Sequence, residues 1–78
     1  MIKTLTVLRP LLADVFGTEE NDITPATAFE DLGADHEDMV EVSMIVEEEF
    51  DVLVEETILD DLQTVADLIA YIENHEED

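Results

Sequence analysis

Apolar residues recur at three- and four-residue steps in three segments of the chain, and this spacing restricts the fold more than any other feature. It is the spacing of an amphipathic α-helix, because a turn of 3.6 residues brings such positions onto one face. No segment shows the two-residue alternation of a half-buried strand. The predicted fold is therefore all-α: a small helical bundle of three main helices plus one short helix.

The first predicted helix covers Met1–Phe16. Pro10 lies inside it, lacks an amide proton, and crowds the carbonyl of the residue one turn earlier. We therefore expect either a kink near Thr6–Pro10 or a helix whose regular part starts close to Arg9. Its expected buried stripe consists of Leu5, Leu8, Leu12 and Val15. Leu11 and Phe16 flank this stripe.

A loop follows over Thr18–Ala28, where Thr24-Pro25 favours extended backbone. Eleven residues without regular structure is long for a small domain, so a short helical turn is expected inside the loop. Ile23 and Phe29 are predicted to anchor the loop to the core.

The second predicted helix runs from about His36 to Phe50 and follows a turn over Asp31–Asp35. Asp35 is a suitable N-cap, and Asp38, three residues later, completes the pattern of a capping box. The expected buried stripe is Met39, Val42, Val46 and Phe50, widened by Val40 and Met44.

A brief helix is predicted over Glu55–Asp61, and the last helix is predicted to start after Thr64, with Asp67 completing a second capping box. Its expected buried stripe is Val65, Leu68, Ile69 and Ile72. A length of 78 residues is compatible with one domain over residues 1–78.

The charge of the chain is strongly one-sided: 23 acidic residues face 2 basic ones, a formal net charge of −21. Lys3 and Arg9 are the basic residues, so none lies between Pro10 and Asp78. Such a chain is repelled by nucleic acid and anionic membranes and attracted by basic protein surfaces and divalent cations. Surface helices usually mix both signs of charge, so we interpret the acidic second helix as a docking surface rather than merely a solvated face.

The absence of cysteine excludes disulfides and thiolate metal sites. No apolar run approaches the roughly 20 residues of a membrane span, and the first residues lack the pattern of a signal peptide. We expect a cytoplasmic monomer without membrane insertion.

A metal site of the EF-hand type is not predicted. Counting from Asp31, the sixth position is His36 instead of glycine and the twelfth is Val42 instead of glutamate. Weak divalent-cation binding is expected only at the acidic helix start, at Asp35, Glu37, Asp38 and Glu41.

Catalysis by the chain alone is not expected. Ser43 is the only serine, and it lies within the second predicted helix with no histidine placed to activate it. A nucleophile, a base and an oxyanion-binding group cannot be identified together. We predict no catalytic residues.

The segment FEDLGADHEDMVEVSMIVEEEF, Phe29–Phe50, resembles the acyl carrier protein family, and TVADLIAYIENH, Thr64–His75, is similar to the family's last helix. Family members typically read F-x-E-D-L-G-A-D-S-L-D before an acidic helix. The resemblance implies an acyl-carrier-protein-like fold. It also implies that the serine position holds 4′-phosphopantetheine and that the following helix docks onto basic patches of partner enzymes.

The chain departs from this pattern at two positions: His36 replaces the serine and Glu37 replaces the leucine after it. An imidazole cannot form the stable phosphodiester that holds the arm, so no cofactor is expected. The docking role is still implied. Its expected residues are Asp35, Glu37, Asp38, Glu41, Met44, Glu47 and Glu48.

The resulting hypothesis is a non-enzymatic homologue that docks onto enzymes or regulators of fatty-acid, lipid or polyketide assembly through their basic surfaces. One alternative is a carrier protein altered at its attachment site. Another is an acidic decoy that mimics nucleic acid and binds DNA-binding proteins.

Overall fold

The computed structural model describes residues 2–75 of the chain, and three α-helices form its frame. In chain order the elements are α1 (Ile2–Phe16), the 3₁₀ helices η1 (Glu20–Asp22) and η2 (Phe29–Leu32), α2 (His36–Phe50), the 3₁₀ helix η3 (Glu56–Asp61) and α3 (Val65–His75). Over these residues the only β-type pairing is an isolated bridge between Ala28 and Thr64. The all-α prediction is confirmed, and η2 is a short helix that the sequence did not predict.

Helix α1 is continuous through Pro10. The expectation that its regular part starts close to Arg9 is therefore wrong, while a kink near Thr6–Pro10 stays a prediction. The physical reason is burial before the proline: Leu8 is fully buried, and Thr4, only 7% exposed, donates a 3.2 Å hydrogen bond to the Glu73 carboxylate on α3. Contacts of the first two turns offset the backbone hydrogen bond that Pro10 cannot make.

The core joins side chains from all three α-helices and from the connecting segments. Its buried apolar residues are Leu8, Leu12, Ala13, Ile23, Phe29, Met39, Val42, Val46, Val52, Val54, Leu59, Leu62, Val65, Leu68, Ile69 and Ile72. The predicted stripe of α3 is buried in full, and Leu5, Val15, Phe16, Val40 and Phe50 pack against the core from its edge.

Met44 is a correction to the predicted stripe of α2, because its side chain is 60% exposed. Val42 and Val46, two residues to either side, are buried. Each residue advances about 100° around a helix, so a position two residues from both must point away from them. Met44 therefore belongs to the outer face of α2.

The loop between α1 and η2 is fixed at both predicted anchors, since Ile23 is 0% and Phe29 is 3% exposed. The expected helical turn in this loop is η1. Arg9 donates from Nε to the Ile23 carbonyl at 2.9 Å, and the Phe29 amide donates to the Gln63 carbonyl at 2.9 Å. These bonds tie the loop to α1 and to the segment before α3, and so fix the start of η2.

We expect the stability of this fold to rise with ionic strength, because 23 acidic residues face only 2 basic ones in the chain. Thermal melts between about 20 and 200 mM NaCl should show Tm rising by roughly 4–8 °C, which corresponds to about 1 kcal/mol for a domain of this size. MgCl₂ at matched ionic strength should raise Tm further. A Tm that is independent of both salts would contradict this expectation.

Candidate functional site

A tight turn directs the chain from η2 into α2. Gly33 ends η2 with φ = 78°, in the left-handed region that glycine adopts without strain. Its amide donates to the Glu30 carbonyl at 3.0 Å, and the Ala34 amide donates to the Phe29 carbonyl at 3.1 Å. Because Phe29 is buried, the turn is held against the core and sets where α2 begins.

The amino end of α2 carries the predicted capping box. The Asp38 amide donates to Asp35 Oδ1 at 2.9 Å, and the Asp35 amide donates to Asp38 Oδ2 at 3.2 Å. Both carboxylates therefore satisfy backbone donors that the helix itself leaves unpaired. Of the seven predicted docking residues, these two also have a structural role.

Position 36 is the first residue of α2, and its imidazole contacts η3. Nε2 of His36 lies 2.9 Å from Oε2 of Glu56, with exposed fractions of 56% and 70% for the two side chains. Glu56 is the first residue of η3, so this contact joins α2 to η3 through two residues that are 20 positions apart in the sequence. Sequence reasoning missed Glu56, since the predicted brief helix gave no sign of which of its acids would meet position 36.

The surroundings of His36 raise its pKa above the ordinary 6.5. The hydrogen bond to Glu56 is the main cause; partial loss of water acts in the opposite direction, and the negative charges of Glu56, Asp60 and Asp35 add to the increase. The sequence alone left open whether the helix dipole or the neighbouring acids would dominate. The acids dominate.

Ser43, the only serine, makes its hydrogen bond within its own helix. Its hydroxyl donates to the Val40 carbonyl at 2.6 Å, and the residue is half-buried. Such bonding to the preceding turn is common for serine inside helices. The side chain lies about two turns beyond position 36, outside the turn that presents the amino end of α2.

The outer side of α2 forms a surface that we call the acidic face, defined by Glu37, Glu41, Met44 and Glu48. These residues follow steps of four, three and four, and all are exposed. They lie opposite the buried Val42 and Val46, with Glu47 exposed at one flank. An apolar methionine thus lies among carboxylates. The sequence had indicated two places for Met44, the edge of the buried stripe and the docking surface.

A groove lies beside His36, between η2, the amino end of α2 and η3. Its volume is about 410 Å³. Apolar side chains from all three elements form its floor, and charged residues line its exposed rim. The floor includes Phe29, Met39, Leu59 and Leu62, and the rim includes Glu30, Asp35, His36 and Asp60. The sequence did not reveal this groove, because its walls come from segments far apart in the chain.

Metal-ligating side chains do not assemble into a site: over residues 2–75 no three His, Asp or Glu side chains are grouped so that they could hold an ion. Weak cation binding at Asp35, Glu37, Asp38 and Glu41 stays a prediction. Within the same residues, no helix has the length and apolar character needed to cross a membrane.

Because His36 contacts Glu56, we expect the pKa of His36 to depend on the Glu56 carboxylate. Since folding raises the pKa of His36, its stabilising contribution is fully present below about pH 6.5 and is lost as the pH rises through the folded-state value. In an NMR titration, Glu56→Gln should move the pKa of His36 down toward the ordinary value. Glu55→Gln, which removes a neighbouring acid without a bond to the imidazole, is the matched control. Equal effects of the two variants would contradict the contact.

The family model described as the phosphopantetheine attachment site matches residues 6–72. The match spans most of α1, all of η1, η2, α2 and η3, and α3 as far as Ile72. It therefore includes the turn at Gly33 and position 36.

Proposed function

Because the chain belongs to the phosphopantetheine attachment site family as an acyl-carrier-protein-like domain, we propose that it acts as a docking module for enzymes or regulators of fatty-acid, lipid or polyketide assembly. Partners bind through basic surfaces that contact the acidic face, together with the adjoining Asp35, Asp38 and Glu47. Position 36 does not carry 4′-phosphopantetheine. Domains of this family are normally not catalytic, and the proposed role requires no catalysis.

The acidic face is the observation that carries this proposal. Glu37, Glu41 and Glu48 project from one side of a helix whose opposite side is fixed in the core. Their carboxylates accept no hydrogen bond from the residues that the structure describes, so they are available to Lys and Arg side chains of a partner. A rigid row of like charges favours rapid, oriented association with a basic surface.

Met44 gives the acidic face an apolar contact point. Methionine is flexible and polarizable and adapts to differently shaped partner surfaces. At 60% exposure, its side chain has apolar area to lose on binding, which charge pairs on a solvated rim do not provide. The combination of charged rim and apolar centre resembles the general organisation of protein interfaces.

The residues around position 36 do not fit a phosphopantetheine arm. The family's attachment uses a hydroxyl oxygen that forms a phosphodiester, whereas His36 offers an imidazole whose Nε2 is already paired with Glu56. The Ser43 hydroxyl is bonded within α2 and does not reach the turn. The carboxylate of Asp60, which acts on the imidazole from η3, would also repel an incoming phosphate.

The first test addresses attachment. After incubation with a phosphopantetheinyl transferase and coenzyme A, the intact mass of the chain should stay unchanged, because position 36 lacks a hydroxyl. The double variant His36→Ser with Glu37→Leu is the matched positive control, since it restores the family's two residues on the same scaffold. Addition of one arm to the unaltered chain, at any residue, would overturn this half of the proposal and favour an altered carrier.

The second test separates docking from stability. Glu37 lies at the positive start of α2 and Glu48 near its negative end. Glu37→Gln should therefore lower stability and Glu48→Gln should raise it, each by about 0.3–1 kcal/mol. Both substitutions should weaken binding to a carrier-protein-reading enzyme, such as the transferase, by roughly two- to fivefold.

Asp14→Asn, which removes an exposed acid on α1, is the control for net charge in calorimetric titrations. The proposal that the acidic face binds partners specifically would be refuted by either of two results. One is a loss of binding only in the variants that lose stability, and the other is an equal loss of binding in Asp14→Asn. Tight binding to DNA-binding proteins, with none to carrier-protein enzymes, would instead support the nucleic-acid mimic.

A further inference from the structure

The groove beside His36 combines an apolar floor with an acidic rim. Phe29, Met39, Leu59 and Leu62 are each less than a tenth exposed, so the floor is part of the core surface and is rigid. Glu30, Asp35 and Asp60 approach the opening from η2, the amino end of α2 and η3. A ligand here meets packed hydrocarbon below and negative charge above.

Three observations show which charge the rim favours. Asp35 and Asp60 line the groove together with His36, and their negative charges raise the pKa of that imidazole. The rim contains no Lys or Arg, and its one titratable base, His36, is paired with Glu56 outside the groove lining. Among the described residues, the carboxylates of Glu30 and Asp60 receive no hydrogen bond. The opening therefore attracts cations and repels carboxylates and phosphates.

From this geometry we infer that the groove receives a lysine side chain of the docked partner, with the aliphatic stem on the apolar floor and the ammonium group between the rim carboxylates. Lysine suits the site better than arginine. Its compact ammonium is a point charge whose three donors can rotate toward acids on separate elements, whereas the five donors of the guanidinium are fixed in one plane. Burial of a methylene stem beneath a solvated charge is the ordinary behaviour of this side chain.

This inference rests on the proposed docking function, because the groove adjoins the acidic face. Asp35 lines the groove and adjoins the acidic face, and Glu37 follows directly after His36. A partner seated on α2 thus brings its neighbouring side chains over the opening. Protonated His36 places a cation on the same rim, so occupancy should increase as the pH rises through the pKa of His36. The groups facing the imidazole are Glu56 and Asp60 on η3 and Asp35 before α2.

The test uses three six-carbon probes that share a stem and differ in the head group: n-hexylammonium, n-hexanol and n-hexanoate. They are titrated at constant ionic strength into the full chain carrying labelled Met and Leu methyl groups. n-Hexylammonium should produce saturable NMR shifts at Met39 and Leu59, n-hexanol weaker shifts, and n-hexanoate the weakest. Binding of n-hexanoate as tight as that of n-hexylammonium, or no saturable shift with n-hexylammonium, would overturn the inference.

Two adjacent acids of η3 provide the matched variants. Asp60 lines the groove and Asp61 does not, although both are exposed. Asp60→Asn should weaken n-hexylammonium binding by roughly two- to fivefold, the loss expected for one exposed charge pair, and Asp61→Asn should change it less. Equal losses in the two variants would show that only net charge acts, and the inference would fail.

The same pair of variants distinguishes this inference from the proposed function when binding of the transferase is measured. If Glu37→Gln and Glu48→Gln weaken docking while Asp60→Asn and Asp61→Asn are equivalent, the docking function stands and the lysine site falls. If n-hexylammonium binds as expected but the acidic face binds no partner enzyme, the proposed function falls and, with it, the assignment of the groove to a partner lysine.

Discussion

Mutual repulsion among carboxylates is the constraint to which the rest of this structure is adapted. With 23 acids and 2 basic residues, long-range electrostatics oppose compaction, and apolar burial must supply the opposing free energy. The core does this by adding to the three α-helices the side chains of Ile23, Phe29, Val52 and Val54 from the segments between them. Acids also stabilise the fold locally: Asp35 and Asp38 cap the positive start of α2, and Asp67 caps that of α3 together with the Thr64 hydroxyl.

This arrangement leaves the outer side of α2 exposed to solvent. The amino half of the helix gains from its acids, while Glu47, Glu48 and Glu49 crowd an end where negative charge is unfavourable. At position 36 an imidazole lies within hydrogen-bond distance of Glu56 on η3. The molecule therefore has the all-α fold of a carrier-like domain and places the contact between His36 and Glu56 beside an acid-rimmed groove.

Local patterns in the sequence were sufficient for the helices and their caps. The bounds of α2, the capping boxes at Asp35 and Thr64, and the anchors Ile23 and Phe29 follow from periodicity and capping chemistry. The exposure of Met44 could be predicted only from its angle around the helix, because an apolar residue near a buried stripe does not necessarily belong to it. Pro10 remained helical because tertiary burial of α1 outweighed a local preference.

The candidate site could not be predicted as well as the helices, because it depends on tertiary contacts. The contact between His36 and Glu56 and the walls of the groove join residues from separate elements, and no local pattern encodes such pairings. The acidic face could be predicted from the sequence, because its residues are spaced along a single helix. NMR mapping of the labelled chain with a carrier-protein-reading enzyme is the most direct test of recognition without attachment. The account predicts shifts concentrated on residues 37–48 with an unchanged intact mass; shifts centred on the outer sides of α1 or α3, or the mass of an added arm, would contradict it.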